Sequence, residues 1–266
     1  PKAAAGNDLG ALHKLTAARA AAAAKGEGER LDARARYEAL RALDTFAWRL
    51  LAEAAGDTLD LEALTELQVA WQSPAVAKAV EQHPLIALRA AWAIAEAARA
   101  LPKEAELAAL AKTARAHTGQ AATKALDGLK KAPNNPTAFL TAAYAALARR
   151  DDAEFTAQAT PLLTATKGEH PRLAAPRAAV TVLLAPRGEA DGRTLATLVR
   201  EQAQHIRGND AVILTALACR RVGGEAWRVF RANARDLVGR QPLDGGVVVL
   251  INRLGTAPLP ILASAR

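Results

Sequence analysis

Arg228, Arg231 and Arg235 recur at spacings of three and four, which sets three guanidinium groups on one face of a helix spanning 225–238. Trp227, Phe230, Ala234 and Leu237 share another face of that helix. A guanidinium row can follow a phosphate backbone, because phosphate contacts fix the position of a protein on nucleic acid without reading its bases. Arg220, Arg221 and Arg240 lie close by in the chain. Lys130-Lys131 and Arg149-Arg150 are further basic pairs, at hairpin ends where a cation also suits the negative end of a helix dipole. The plainer alternative for the whole row is a solvated helix face.

The remaining chemistry-bearing side chains are scattered. His13, His83, His117, His170 and His205 stand far apart, none with a second His or Cys at ligand spacing, and His83 and His170 each precede a proline, as turn residues do. Glu62 with Glu66 fits a solvated helix face, and Asp151 with Asp152 fits a cap, better than either pair fits acid–base work. Cys219 lies in an apolar stretch with no His near it, so it reads as a small core residue, and a lone Cys excludes a disulfide framework. No Gly-rich phosphate loop, metalloprotease signature or serine elbow is present. The expectation is a non-enzyme with no catalytic residue, no metal, no cofactor and no small-molecule substrate, which works by contact.

Composition says what such contacts would be. The chain has 266 residues with 35 Lys+Arg against 27 Asp+Glu, a net charge of +8. The excess is uneven: residues 51–100 hold 3 basic and 7 acidic side chains, whereas 201–266 hold 9 and 5. A basic excess favours RNA or acidic protein surfaces through long-range attraction. Arg outnumbers Lys 25 to 10, which suits planar bidentate contacts, although a GC-rich genome produces the same bias. No run approaches the roughly 18 apolar residues that span a bilayer. Alanine, 69 residues of it, carries the apolar fraction and leaves bulky packing residues scarce.

These side chains need helices to position them. Leu31, Tyr37, Leu40, Leu43, Ala47, Leu50 and Leu51 predict an amphipathic helix over 29–55, ended by Gly56. Further helices are expected over 60–72, from Pro74 to 82, from Pro84 to about 100, from Pro102 to His117 and from Gln120 to Lys131, with proline opening several at a position helices tolerate. From Pro133 the punctuation is periodic. Pro136 to Pro171 is 35 residues and Pro171 to Pro242 is 71, close to twice that. A period in the thirties marks stacked helix pairs, here 137–150 with 152–167, 172–185 with 192–207, 210–222 with 224–238, and a half-unit from 244. Val247–Ile251 is a β-branched run that could be a short strand, but the hairpin register favours helix.

The stretch 210–254 resembles pentatricopeptide-type repeats in its apolar first helix with Leu214 and Leu217, its glycine turn, its Glu225-Ala226-Trp227 with Phe230 three residues on, and its Gly239-x-x-Pro242. A second Gly-x-x-Pro joins Gly168 to Pro171. The tetratricopeptide family is the related alternative. Alanine stands where that pattern has many large residues, and Pro176 and Pro186 fall inside one first helix. The resemblance implies single-stranded RNA bound one base per repeat, with Thr215 and Asp244 as reading residues in the clearest unit, and Arg177 with Asn209 or Asp210 in the unit before. Thr215 could instead bond its own helix backbone, and Asp244 could cap the next helix.

The expected architecture is therefore all-α, a right-handed array of antiparallel helical hairpins, an α-solenoid of about 35-residue repeats. Residues 1–28 form an N-terminal helix or extension, 29–132 degenerate hairpins, 133–254 pentatricopeptide-like repeats, and 255–266 an extended apolar tail that folds over the last repeat or docks on a partner. The expected function is that of a structural or RNA-contacting subunit of an organellar ribonucleoprotein such as a mitochondrial ribosome. The alternative is a tetratricopeptide-like protein scaffold in a bacterial or organellar membrane-associated complex. Residues 11–25, free of acids, look like an organelle-targeting segment or an ordinary alanine-rich helix, and the missing methionine fits either a removed initiator or a cleaved leader. The compartment expected is the mitochondrial matrix or another organelle, with bacterial cytoplasm or periplasm as the alternative.

Overall fold

Proline and glycine set the helix boundaries. In a computed structural model, which describes residues 29–55, 83–101, 103, 105–148, 152–166, 170–185, 191–241 and 243–256, helices begin at Pro84, Pro136 and Pro171. The described elements are α1 (Glu29–Ala54), α2 (Pro84–Ala100), α3 (Ala105–Lys131), α4 (Pro136–Leu147), α5 (Asp152–Ala165), α6 (Pro171–Leu184), α7 (Gly192–Gln202), a 3-10 turn (Ala203–His205), α8 (Asn209–Val222), α9 (Gly224–Arg240) and α10 (Gly245–Thr256). The described residues are all-α, without a strand, and Val247–Ile251 lies inside α10. No helix among them is long and apolar enough to cross a membrane. The expected helices over 60–72 and 74–82, the segment 1–28 and the tail from 257 lie outside the described residues.

Local chemistry explains several of these boundaries. Asn135 caps α4 by accepting from the amides of Thr137 and Ala138 at 3.0 and 3.2 Å, His170 Nδ1 accepts from Arg172 N at 3.1 Å, and Asp191 caps α7 through Arg193 and Thr194. Between α8 and α9 a single residue, Gly223, is the cap of both helices at φ +71°, a conformation that L side chains rarely adopt. One expectation is corrected: 102–117 and 120–131 are not two helices but one, α3. Nothing between His117 and Gln120 forbids it, since Gly119 costs a helix only about 1 kcal/mol and Thr123 Oγ1 closes on its carbonyl at 3.2 Å. Pro176 likewise sits within α6 without ending it.

The helices pack in sequence and in two layers. α1, α2, α4, α6, α8 and α10 each touch the next, while α3, α5, α7 and α9 lie against this inner row. The last helix, α10, packs on α1, so the run of contacts closes on itself. α1 thus covers one face of α10. Alanine makes the close approach possible: α2 buries Ala87, Ala90, Ala91, Ala93, Ala95 and Ala97. Hydrogen bonds between units recur at one period, from Gln241 to Ile206 and Asp244 to Asn209 (35 residues apart), Arg220 to Leu254 (34) and Arg221 to Ala185 (36).

Closure depends on a tight crossing. A Cβ placed on Gly246 of α10 would lie 2.6 Å from Trp48 Cβ and 3.3 Å from the backbone nitrogen of Arg49, both in α1. Gly246→Ala should therefore lower stability by about 1–3 kcal/mol through overpacking. Gly245→Ala is the control, because its Cβ would meet nothing within 4 Å. Equal denaturation midpoints for the two variants would show that this crossing does not hold the ring shut.

Candidate functional site

Among the described residues, the inner row encloses a buried cluster of charged and aromatic side chains. Arg89 of α2, 4% exposed, donates to Asp210 of α8 from Nε at 3.0 Å and from Nη2 at 2.7 Å, and pairs with Asp44 of α1 through Nη1. Its guanidinium lies 4.4 Å from the Trp48 ring centroid, where cation and aromatic face attract. Tyr144 of α4 donates its hydroxyl to the Asp210 carbonyl at 3.1 Å and meets Trp92 edge-on, with ring centroids 5.5 Å apart. One turn from Trp92, the buried Glu96 accepts from Trp92 Nε1 at 3.1 Å and pairs with Arg99. α1 and α8 thus converge on the guanidinium of α2, and α4 joins them through the Asp210 carbonyl.

This cluster is closed rather than reactive. Trp48, Trp92 and Tyr144 have no accessible surface, and the carboxylates facing Arg89 are committed to it. Burial pushes the Tyr144 hydroxyl well above the usual tyrosine range, the Asp210 charge adds to the rise, and Arg89 opposes it. Cys219, buried in α8, is pushed up to about 12 by burial, so it holds its proton and is a poor nucleophile near neutrality. Among the described residues no three His, Cys, Asp or Glu side chains gather as a metal ion would need.

The residues singled out in the sequence divide into two groups. Arg228 and Arg231 stand exposed on α9, while Trp227 and Phe230 of the same helix stack at 5.7 Å on its packed side. Arg220 and Arg221 belong elsewhere: Arg220 Nε donates to the Leu254 carbonyl at 2.6 Å, and Arg221 Nη2 to the Ala185 carbonyl at 3.1 Å. Both satisfy orphan carbonyls at helix ends, where a cation also meets the helix dipole. Thr215 is fully buried and donates to the Ala211 carbonyl at 2.7 Å; Asp244 accepts from Gly246 N at 2.7 Å, capping α10. Asn209 Oδ1 accepts from the Asp244 amide at 3.1 Å, Asp210 holds Arg89, and Arg177 is half-buried on α6. The side chains of Arg235 and Arg240, and the pair Arg149-Arg150, lie outside the described residues.

No protein-family model, curated protein or solved structure matches the chain. Its likeness to helical repeats rests on its own residues and geometry.

Two features escaped the sequence reading. The Arg89 cluster joins positions 121 residues apart, and no local pattern marks such a pair. The second feature lies on α7 and the 3-10 turn after it, where Arg193, Thr197, Arg200 and Gln204 are exposed while Leu195, Ala196 and Val199 are buried. A helical count over 192–204 would have found that face. On its outer side Arg200 pairs with Glu225 of α9 at 2.9 Å, both about half exposed.

The buried cluster and the exposed pair differ in what they stabilise. Asp210→Ala should cost about 3–5 kcal/mol, because it leaves a buried guanidinium half-compensated, whereas Glu225→Gln should cost less than about 1 kcal/mol. Comparable losses in urea melts would refute this ranking. Alkali should also act on the core. Cys219 and Tyr144 both keep their protons when folded, so their contributions are complete below their unfolded values, 9.0 and 10.0, and are lost as pH rises past each. Stability should fall by about 1.4 kcal/mol per pH unit for each group above its own threshold. In Cys219→Ala and Tyr144→Phe the corresponding part of that slope should vanish.

Proposed function

We propose that the chain is a non-catalytic helical-repeat subunit that contacts RNA within a large assembly, an organellar ribonucleoprotein such as a mitochondrial ribosome. In this reading α4 to α10 form a right-handed α-solenoid of about 35-residue, pentatricopeptide-like hairpins, whose end is joined to its beginning through α1 and α2. The hydrogen bonds that recur 34 to 36 residues apart support the repeat. The acid-free pattern of residues 11–25 supports the organellar address.

The observation that carries the RNA reading is the chemistry of the outer surface. Tyr37, 61% exposed, is the large apolar side chain standing free among the described residues, whereas Arg193, Arg200, Arg228 and Arg231 are exposed on two adjacent helices. Such a surface offers a partner charge, not apolar area, and stable protein interfaces draw on apolar cores that this face lacks. Thr215 and Asp244 are occupied by helix-internal and capping bonds, so backbone attraction rather than base reading is the mode proposed.

Substituting Arg228, Arg231 and Arg235 together by Gln should weaken retention of RNA and lower the salt slope by about 2, at roughly 0.7 per lost single-strand phosphate contact. Unchanged retention would reject this helix as the contact. Purification of the native protein with and without nuclease separates the alternative, a tetratricopeptide-like scaffold: partners that persist after complete digestion of RNA favour that reading.

A further inference from the structure

α7 and α9 run side by side as outer helices of successive units. A Cβ on Gly192 would collide with the Val222 side chain and come within 3.9 Å of the Ala226 Cβ, so the start of α7 is pressed against the turn into α9. At the other end Arg207 lines a cavity of about 80 Å³ together with Leu237 and Gln241 of the segment that closes α9. The two helices therefore present their exposed stripes together, and the Arg200–Glu225 pair bridges them on the outside.

Both stripes carry arginine. Arg193 and Arg200 are seven residues apart, two turns of one face, hence about 10.5 Å along the axis. Arg207 follows beyond the 3-10 turn, exposed, with Nε donating to the Gln204 carbonyl at 3.0 Å. Across the seam stand Arg228 and Arg231, also exposed. The acids on this surface are Glu201, Glu225 and Asp236, with Asp191 at the cap of α7, where the Thr194 hydroxyl and backbone amides hold its carboxyl below the usual range. Of these, Glu225 faces Arg200 directly and competes with any other anion for it.

We propose that the joined outer faces of α7 and α9 form one docking surface for the phosphate backbone of RNA, with Arg193, Arg200 and Arg207 contributing alongside Arg228 and Arg231. This rests on the reading that the protein contacts RNA, and it extends the contact from one helix to two successive units. Glu225 tethers Arg200 in the free protein and is displaced when a phosphate takes its place. Binding is independent of base sequence, because the contacts are to phosphate, which carries no base information.

The test uses the full chain and a fluorescent oligouridylate, titrated across about 50 to 200 mM salt. Arg193→Gln/Arg200→Gln/Arg207→Gln should weaken binding and reduce the log–log salt slope by about 2, with a melting curve matching the parent. Glu225→Gln should tighten binding several-fold, which loss of a merely structural ion pair would not do. If the parent chain binds and the triple variant binds identically, the two-helix surface is overturned while the RNA reading stands. If the parent chain does not bind oligouridylate, both are overturned. Equal binding of polyglutamate, lost through the same substitutions, would overturn the RNA assignment in favour of an acidic protein.

Discussion

Arg89 is a full positive charge almost removed from water, and the described helices are arranged around keeping it there. A lone buried guanidinium would cost several kcal/mol, so it has to find carboxylates of good geometry or stay at the surface. Its carboxylates come from α1 and α8, the beginning and the later part of the described chain, and its aromatic cover comes from Trp48. Bidentate contact with Asp210 fixes orientation as well as distance, because the guanidinium fork accepts few alignments. An apolar core of alanine tolerates sliding of one helix on another; this contact does not.

That constraint explains why the inner row closes instead of spreading. With α1 and α8 both tied to α2, α10, which follows α8 in the inner row, is brought onto α1, and Gly246 lets it cross with no side chain between the backbones. Tyr144 adds α4 to the same centre through the Asp210 carbonyl. The outer helices take no part in this cluster. They are placed by the inner helices they rest on and by inter-unit bonds such as Gln241 to the Gly208 amide at 2.7 Å and to the Ile206 carbonyl at 3.1 Å. The exposed arginines of α7 and α9 thus stand on helices whose other faces are buried against the inner row.

The helices of the C-terminal half were legible because their punctuation is local. Pro136, Pro171, Gly223 and Gly245 stand where the chain must start, turn or restart, and Pro136 and Pro171 open helices 35 residues apart. The break expected near residue 119 was not real, since a lone glycine with no proline beside it weakens a helix without ending it. Packing of chain neighbours was legible, since 137–150 with 152–167, 172–185 with 192–207 and 210–222 with 224–238 do lie together, but pairing between side chains distant in sequence was not. Asp210 looked like a helix-start residue of one repeat, and nothing near it in sequence announces Arg89. The candidate site was legible in part: Arg228 and Arg231 emerged from their spacing, but Arg220 and Arg221, as basic and as close in sequence, turn to helix ends of neighbouring units. What separates the two pairs is which carbonyls lie within reach, a property of the packed array and not of the local run.

Arginine therefore does three kinds of work here that one composition figure merges. Buried, Arg89 organises the interior; half-buried, Arg220 and Arg221 satisfy helix termini from one unit to another; exposed, Arg193, Arg200, Arg228 and Arg231 face water. The first two uses fit the planar fork with its several donors better than the compact ammonium of lysine, which gives the high ratio of Arg to Lys a structural reason beside any genomic one. The third use does not need arginine to fold the protein. Exposed cations on packed helices add little to stability, so folding alone does not account for arginine at these positions, and the proposed contact with an anionic partner would give them a use.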